Sequence, residues 1–329
     1  MPHKIGSIIH LERRGYMFGA DQWQRLHALA PTVATESPTP LSEDEAIEIL
    51  HDCTIALGSW RTPRPTPRLL EACPDLRLWV HVAGSVKPLF NDAVLARGMH
   101  IVSCAAPIAD NVAEFTLAML VTGLRHIFDH ARHMRRPGSP RPPRGKMLCD
   151  STIGVIGASL VGRRVMRLLN TIGCRILLYD PYIDEAGAAE LGATLEPDLV
   201  ELCANSDAVT LHAPYLPSTR HMLRAEHFRA MRDDTVFINT ARGGCIDEQA
   251  LIAELARGRL VACLDVTDPE PPDADSALRR LPNVILTPHI AGGAGNLRMG
   301  RLAVDAVEAF INDRPIPGRV DPADLDRIA

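Results

Sequence analysis

Short apolar, β-branched runs alternate with helix-period stretches along nearly the whole chain, the pattern of an α/β architecture built on parallel sheets. In the first third the apolar runs predict strands over Ile5–Ile9, Thr54–Leu57, Leu78–Val82 and His100–Val102, with amphipathic helices over Glu43–Leu50 and Arg68–Cys73. A long helical pattern runs from about Asn111 to Arg136. It stops at Pro137-Gly138-Ser139-Pro140-Arg141-Pro142-Pro143, which cannot continue a helix and reads as an exposed linker. The rhythm then restarts more regularly, predicting strands at Thr152–Ile156, Arg175–Tyr179, Ala208–Leu211, Thr235–Ile238, Leu260–Leu264 and Val284–Leu286. A last helix is expected over Leu297–Ile311, ending near Pro315, and no sequence repeat is visible.

Composition narrows the function classes. At 329 residues the chain exceeds usual single-domain size, so two domains are expected, and 46% hydrophobic content suffices for their cores. A net charge of -5 gives no general attraction to nucleic acid or an anionic membrane, and 4% aromatics leave little for base-stacking. The N-terminal Met1-Pro2-His3-Lys4-Ile5-Gly6 lacks a long apolar core, and the most apolar helix, around Val112 to Leu124, is short and contains Glu114. The eight cysteines have no Cys-x-x-Cys spacing and read as reduced thiols of a cytoplasmic protein. Cys245 lies near Arg242, but a small buried residue is the simpler reading than a reactive thiol.

Gly157-Ala158-Ser159-Leu160-Val161-Gly162 follows the apolar strand Ile153–Ile156 and opens a helical run over Val161–Asn170. Small residues at a strand-to-helix turn let backbone N–H groups approach a pyrophosphate. Ser159 stands where the usual fingerprint has its middle glycine; its hydroxymethyl crowds the approach slightly yet can donate to phosphate. Alone this turn is weak evidence. Asp180 strengthens it, because it ends the second strand and suits a ribose diol while repelling a 2′-phosphate, so NAD is preferred over NADP. The alternative for Asp180 is a helix cap before Pro181.

Farther on, Arg242 lies in Asn239-Thr240-Ala241-Arg242-Gly243-Gly244, Glu270 in a proline-rich loop after Leu264-Asp265-Val266, and His289 in Thr287-Pro288-His289-Ile290. A guanidinium holds carboxylates, an imidazole passes protons, and a carboxylate buried against that imidazole favours its protonated form. Together they suit hydride-transfer chemistry. Asp268 is the competing carboxylate near Glu270.

These phrases, with Val112-Ala113-Glu114 and Leu211-His212-Ala213-Pro214, resemble the D-isomer-specific 2-hydroxyacid dehydrogenases, weakly to about residue 75 and strongly from Val82 to Gly292. The resemblance implies a Rossmann nucleotide-binding domain, residues 106–291, inserted into a flavodoxin-like substrate domain, residues 1–105 plus 292–329, with the active site in the cleft and a homodimer formed through the nucleotide domain. It makes His289 the acid/base with Glu270 bonded to it, and Arg242 the holder of the substrate carboxylate and carbonyl oxygen. Asp265 would hold the nicotinamide carboxamide with Ala241 beside the ring. Gly84 and Ser85 would grip the substrate carboxylate. The resemblance also implies that Gly157, Ser159, Leu160, Val161, Gly162, Asp180, His212, Ala213, Pro214, Thr240 and His289 line the NAD site.

The expected reaction is reversible reduction of a small 2-oxo acid to its D-2-hydroxy acid. Oxidation of formate or phosphite on the same scaffold is one alternative; a non-catalytic NAD(H)-sensing scaffold is the other. The loops Ser59-Trp60-Arg61 and Ala83-Gly84-Ser85-Val86-Lys87 depart from common members and leave the substrate open, with Trp60 either a pocket wall or a core anchor. His126, His130 and His133 fall at i, i+4 and i+7 of a helix, but a solvated helix end is a better reading than a metal site. No metal is expected.

Overall fold

A computed structural model describes residues 2–136, 138, 142–293, 297–326 and 328. Pro137, Ser139, Pro140 and Arg141 of the expected linker lie outside the described residues. The chain divides into two compact units, residues 1–108 with 293–329 and residues 109–292.

In the first unit, β1 (Ile5–Ser7), β2 (Thr32–Ala34), β3 (Ile55–Gly58), β4 (Leu78–His81) and β5 (His100–Ser103) form a parallel sheet in the order β2-β1-β3-β4-β5. Alternate residues face opposite layers: Ile55, Leu57, Leu78 and Val80 join one core cluster, while Ala56, Trp79 and Ile101 join another. Buried on both faces, the strands need the continuous apolar runs that made them visible. Helix Glu43–Leu50 starts where the Ser42 side chain accepts from Glu45 N–H and Glu45 reaches back to Ser42, a capping box, and it buries Ala46 and Leu50. Helix Leu297–Ile311 lays Met299, Ala303, Val304 and Val307 into the first core of this unit.

In the second unit, β6 (Thr152–Ile156), β7 (Arg175–Tyr179), β8 (Thr194–Leu195), β9 (Ala208–Leu211), β10 (Val236–Asn239), β11 (Val261–Leu264) and β12 (Val284–Leu286) make another parallel sheet. Its order is β12-β11-β10-β9-β6-β7-β8. Each sheet therefore reverses its winding direction once, between β1 and β3 in the first and between β6 and β9 in the second. Open α/β sheets bind ligands at such a switch point, beyond the carboxyl ends of the strands.

Several boundaries differ from the sequence-based reading. Strand β1 stops at Ser7, not Ile9, as the chain heads into helix Leu11–Met17; that helix, helix Ala20–Leu29 and the short edge strands β2 and β8 gave too little periodic signal to be found. The long helix begins earlier, at Ala105, since Pro107 falls in its first turn where proline is tolerated. It also breaks. The Leu124 carbonyl accepts Lys146 N–H at 2.9 Å, His126 turns into left-handed backbone (φ 47), and a separate helix Ile127–Arg135 follows. His126 is thus a buried residue at the break, not one rung of a continuous histidine face.

Candidate active site

The turn after β6 reaches the switch point of the second sheet. Gly157 has φ 96, and a Cβ there would lie 2.8 Å from the Ala213 backbone nitrogen, so the loops after β6 and β9 meet backbone to backbone. Ser159 caps helix Leu160–Ile172: its Oγ accepts Gly162 N–H at 3.3 Å. That bond uses an acceptor position of the hydroxyl and leaves its O–H free to donate. Asp180 does similar work, its Oδ2 accepting Ala158 N–H at 2.7 Å and its Oδ1 accepting Tyr182 N–H at 2.9 Å. An ionised carboxylate has about four acceptor positions, so two remain for a ribose diol. Exposed Leu160, half-buried Val161 and the free helix N-terminus complete a cradle that fits a dinucleotide.

His212 and Ala213 are buried, Pro214 half-buried. Burial pushes the His212 imidazole down to about 3, so it is neutral, with Nε2 2.9 Å from Thr210 Oγ1. Thr240 is buried with Oγ1 3.3 Å from Thr116 Oγ1. The turn after β10 is closed by Asn239, whose Oδ1 accepts Ala241 N–H and whose Nδ2 donates to Arg242 O, each at 3.0 Å. Arg242 leaves this turn exposed; Nη1 donates to Ala241 O at 2.6 Å, and among the described residues it makes no ion pair. At Gly243 a Cβ would lie 2.1 Å from Thr267 backbone atoms, so the Arg242 turn sits directly on the loop that carries Glu270.

His289 Nδ1 stands 2.6 Å from Glu270 Oε1. The side chains are 46% and 41% exposed, so the pair is not buried, contrary to the sequence-based expectation: both come from loops beyond strand ends. His289 has φ 54, a conformation an L-residue holds only when its surroundings enforce it. Asp265 supplies the enforcement. Its backbone carbonyl accepts His289 N–H at 2.9 Å. Its Oδ1 accepts Thr287 Oγ1–H at 2.6 Å and Ile290 N–H at 2.8 Å, and Oδ2 accepts Ala291 N–H at 2.8 Å. With Asp265 only 2% exposed, this is a buried carboxylate tying down the whole segment 287–291. Sequence reasoning gave Thr287 no role, and its one signal was an alcohol at the end of an apolar strand.

In the first unit, Gly84 and Ser85 follow β4 on a loop held by Ser103 Oγ–H donating to Gly84 O at 2.6 Å. Among the described residues no protein acceptor takes the N–H of either. Trp60 is 40% exposed beneath the Arg13 guanidinium, 5.6 Å from its ring centroid. It is not a core anchor; Trp79 is.

The family model for the D-isomer specific 2-hydroxyacid dehydrogenase NAD binding domain matches residues 117–291. The chain belongs to the D-isomer specific 2-hydroxyacid dehydrogenase family. It is 33% identical over 256 residues to D-3-phosphoglycerate dehydrogenase of Methanocaldococcus jannaschii, covering 77% of this chain but only 48% of that protein. It is 31% identical over 279 residues to glyoxylate reductase of Korarchaeum cryptofilum, covering 82% of this chain and 83% of the relative. A phosphoglycerate oxidoreductase from Rhizobium etli shares the fold, with TM-score 0.80, 24% identity and 98% and 99% of the two chains covered.

In this chain the structure joins His289 to Glu270, while no hydrogen bond or ion pair links Arg242 to either among the described residues. All three lie at the carboxyl ends of adjacent strands, Arg242 after β10, Glu270 after β11 and His289 after β12. Asp268, the competing carboxylate, offers its backbone N–H to Glu248 Oε2 at 3.1 Å. All eight cysteines are free, seven of them buried, and burial pushes the Cys245 thiol up to about 11, so it is not reactive. No group of three or more metal-ligating side chains occurs among the described residues, and none of their helices is long and apolar enough to cross a membrane.

Proposed function

We propose that the chain reversibly reduces a small 2-oxo acid to its D-2-hydroxy acid, with NADH preferred over NADPH. The observation that carries this reading is the His289–Glu270 pair, held at 2.6 Å on a segment fastened by a buried carboxylate, at the edge of a sheet with a dinucleotide turn at its switch point. Bound NADH supplies the hydride. His289, protonated at Nε2 and hydrogen-bonded through Nδ1 to Glu270, gives its proton to the carbonyl oxygen. Arg242, with no ion pair among the described residues, binds the substrate carboxylate and stabilises the charge growing on that oxygen. The N–H groups of Gly84 and Ser85, which no protein acceptor takes among the described residues, suit a carboxylate, and Trp60 suits contact with a substrate side chain.

Asp265 has one acceptor position left after its three donors, enough for a nicotinamide carboxamide N–H. Ala241 and Thr240 flank the ring. The Korarchaeum relative, similar over most of both chains, is a glyoxylate reductase, which favours a small substrate. Eight free cysteines favour a reducing, cytoplasmic setting. Exposed Ile127, Phe128 and Met134, the last 80% exposed, favour a homodimer through the second unit.

The test is NADH oxidation with glyoxylate, hydroxypyruvate, pyruvate and phenylpyruvate, repeated with NADPH. Turnover of at least one acid, faster with NADH, is expected. Oxidation of formate or phosphite with no activity on any 2-oxo acid would move the chain to that chemistry. Cofactor binding without any turnover would make it a sensor.

A further inference from the structure

The loops that carry Arg242 and Glu270 follow different strands, β10 and β11, yet they meet at one peptide group. A Cβ on Gly243 would run into the Thr267 carbonyl and lie 2.6 Å from the Asp268 nitrogen, so the Arg242 turn rests on the peptide joining residues 267 and 268. Glu270 is two residues farther along. The N–H of that same peptide donates to Glu248 Oε2 at 3.1 Å. Buried Thr267 stiffens the loop as well, its Oγ1–H donating to Pro269 O at 2.8 Å.

Glu248 opens helix Glu248–Ala256, and an acid in a first turn ordinarily serves its helix alone, by favouring the positive end. Three observations separate Glu248 from that reading. The helix is already capped by Asp247, which accepts Ala250 N–H at 3.1 Å. Glu248 instead reaches 20 residues ahead, to a loop beyond a strand end. Its placing is also costly. Burial first, joined by the charges of Asp268 and Asp273, pushes its carboxyl up from the ordinary value, while the Asp268 N–H pulls the other way. A carboxylate kept among like charges, on a bond that fixes the meeting point of two site loops, is placed for the site and not for the helix.

We infer that Glu248 is a positioning residue: by holding the Asp268 N–H it fixes the peptide on which the Arg242 turn and the Glu270 loop both rest, so that the guanidinium and the carboxylate partner of His289 are set together. This rests on the dehydrogenase reading above and adds to it a residue that acts through two loops, not on the substrate. Reach matters here, not charge. Glu248→Gln keeps an acceptor oxygen at the same distance, whereas Glu248→Asp keeps the charge and the favourable helix start but is one methylene short.

Amide hydrogen exchange of the full chain, followed by mass spectrometry, reads this contact without turnover. Glu248→Ala and Glu248→Asp should speed exchange about tenfold in segments 241–246 and 266–273 alike, the scale of one hydrogen bond to a charged group, with Glu248→Gln close to the unaltered chain. Segment 287–291, tied down by Asp265, should keep its protection in all three. In steady-state reduction of glyoxylate or hydroxypyruvate, kcat/KM should fall about tenfold in the Ala and Asp variants and return in Glu248→Gln. The loss should be shared between a higher KM, because Arg242 binds the acid, and a lower kcat, because Glu270 orients the proton donor. Loosening of one segment without the other, protection lost evenly across residues 109–292, Glu248→Asp outperforming Glu248→Gln, or unchanged kinetics in the Ala and Asp variants each overturns the inference. The two readings fail separately: coupled loosening in a chain that reduces no 2-oxo acid sinks the reaction, and a working reductase indifferent to residue 248 sinks the positioning role.

Discussion

The carboxyl edges of the two sheets are built in opposite ways. In the second unit the polar side chains of the edge are committed to their own loops. Asp265 fastens 287–291, Asn239 closes the Arg242 turn, and Ser159 and Asp180 order the dinucleotide turn. No buried side-chain polar atom there lacks a partner among the described residues, whereas the four that do are all in the first unit. Fully satisfied networks rigidify a site before substrate arrives, which is what proton transfer at fixed geometry requires. The satisfied edge of the second unit is therefore the one suited to chemistry at fixed geometry.

Substitutions can break that division, the most damaging first. His289→Ala should cut turnover by about 10²–10⁴-fold with NADH binding nearly intact, since its proton moves only in the transition state. Near-normal turnover of this variant in a steady-state assay would end the assignment. Thr287→Val removes the hydroxyl donor to Asp265 without touching substrate or cofactor. Losing one charge-assisted bond that orients His289 should lower kcat roughly tenfold and leave KM little changed, with Thr287→Ser restoring it. A loss confined to thermal stability would mean that Asp265 holds the segment for folding alone.

The smallest expected effect uses two of the buried histidines, one in each unit. Burial lowers His212 to about 3 and His81 to about 4, each below the unfolded value of 6.5. Between those values the unfolded chain binds a proton that the folded chain refuses. The contribution is thus fully present above pH 6.5 and is lost as pH falls towards 4 for His81 and towards 3 for His212. The slope is about 1.4 kcal/mol per pH unit for each histidine. His212→Gln and His81→Gln should each flatten the acid limb of a Tm-versus-pH curve; an unchanged limb in both would show that other groups control it.

The architecture was legible because strands buried on both faces, such as β6 and β9, must be largely apolar, and β6, β7, β9 and β12 coincide with the runs seen in the sequence. Strands of two or three residues at the sheet edges, β2 and β8, carry too few positions for a period to register. At the site, His289 and Glu270 were readable from local phrases. Their exposure was not, because it depends on where two separate loops end. Asp265 shows the same limit. Its position pointed to the cofactor, but the bonds it makes are to residues more than twenty positions away, fixed only when β11 and β12 lie side by side.

The central claim, that this chain passes hydride to a 2-oxo acid and a proton from His289, is tested most directly by following label. NADH deuterated at C4 of its nicotinamide is incubated with the chain and hydroxypyruvate, and the product is examined by mass spectrometry and chiral chromatography. The account requires one deuterium at C2 of glycerate, in the D isomer alone, with formation slowed in His289→Ala. Label absent from C2, an L or racemic product, or label transfer at equal rate without His289 would contradict it.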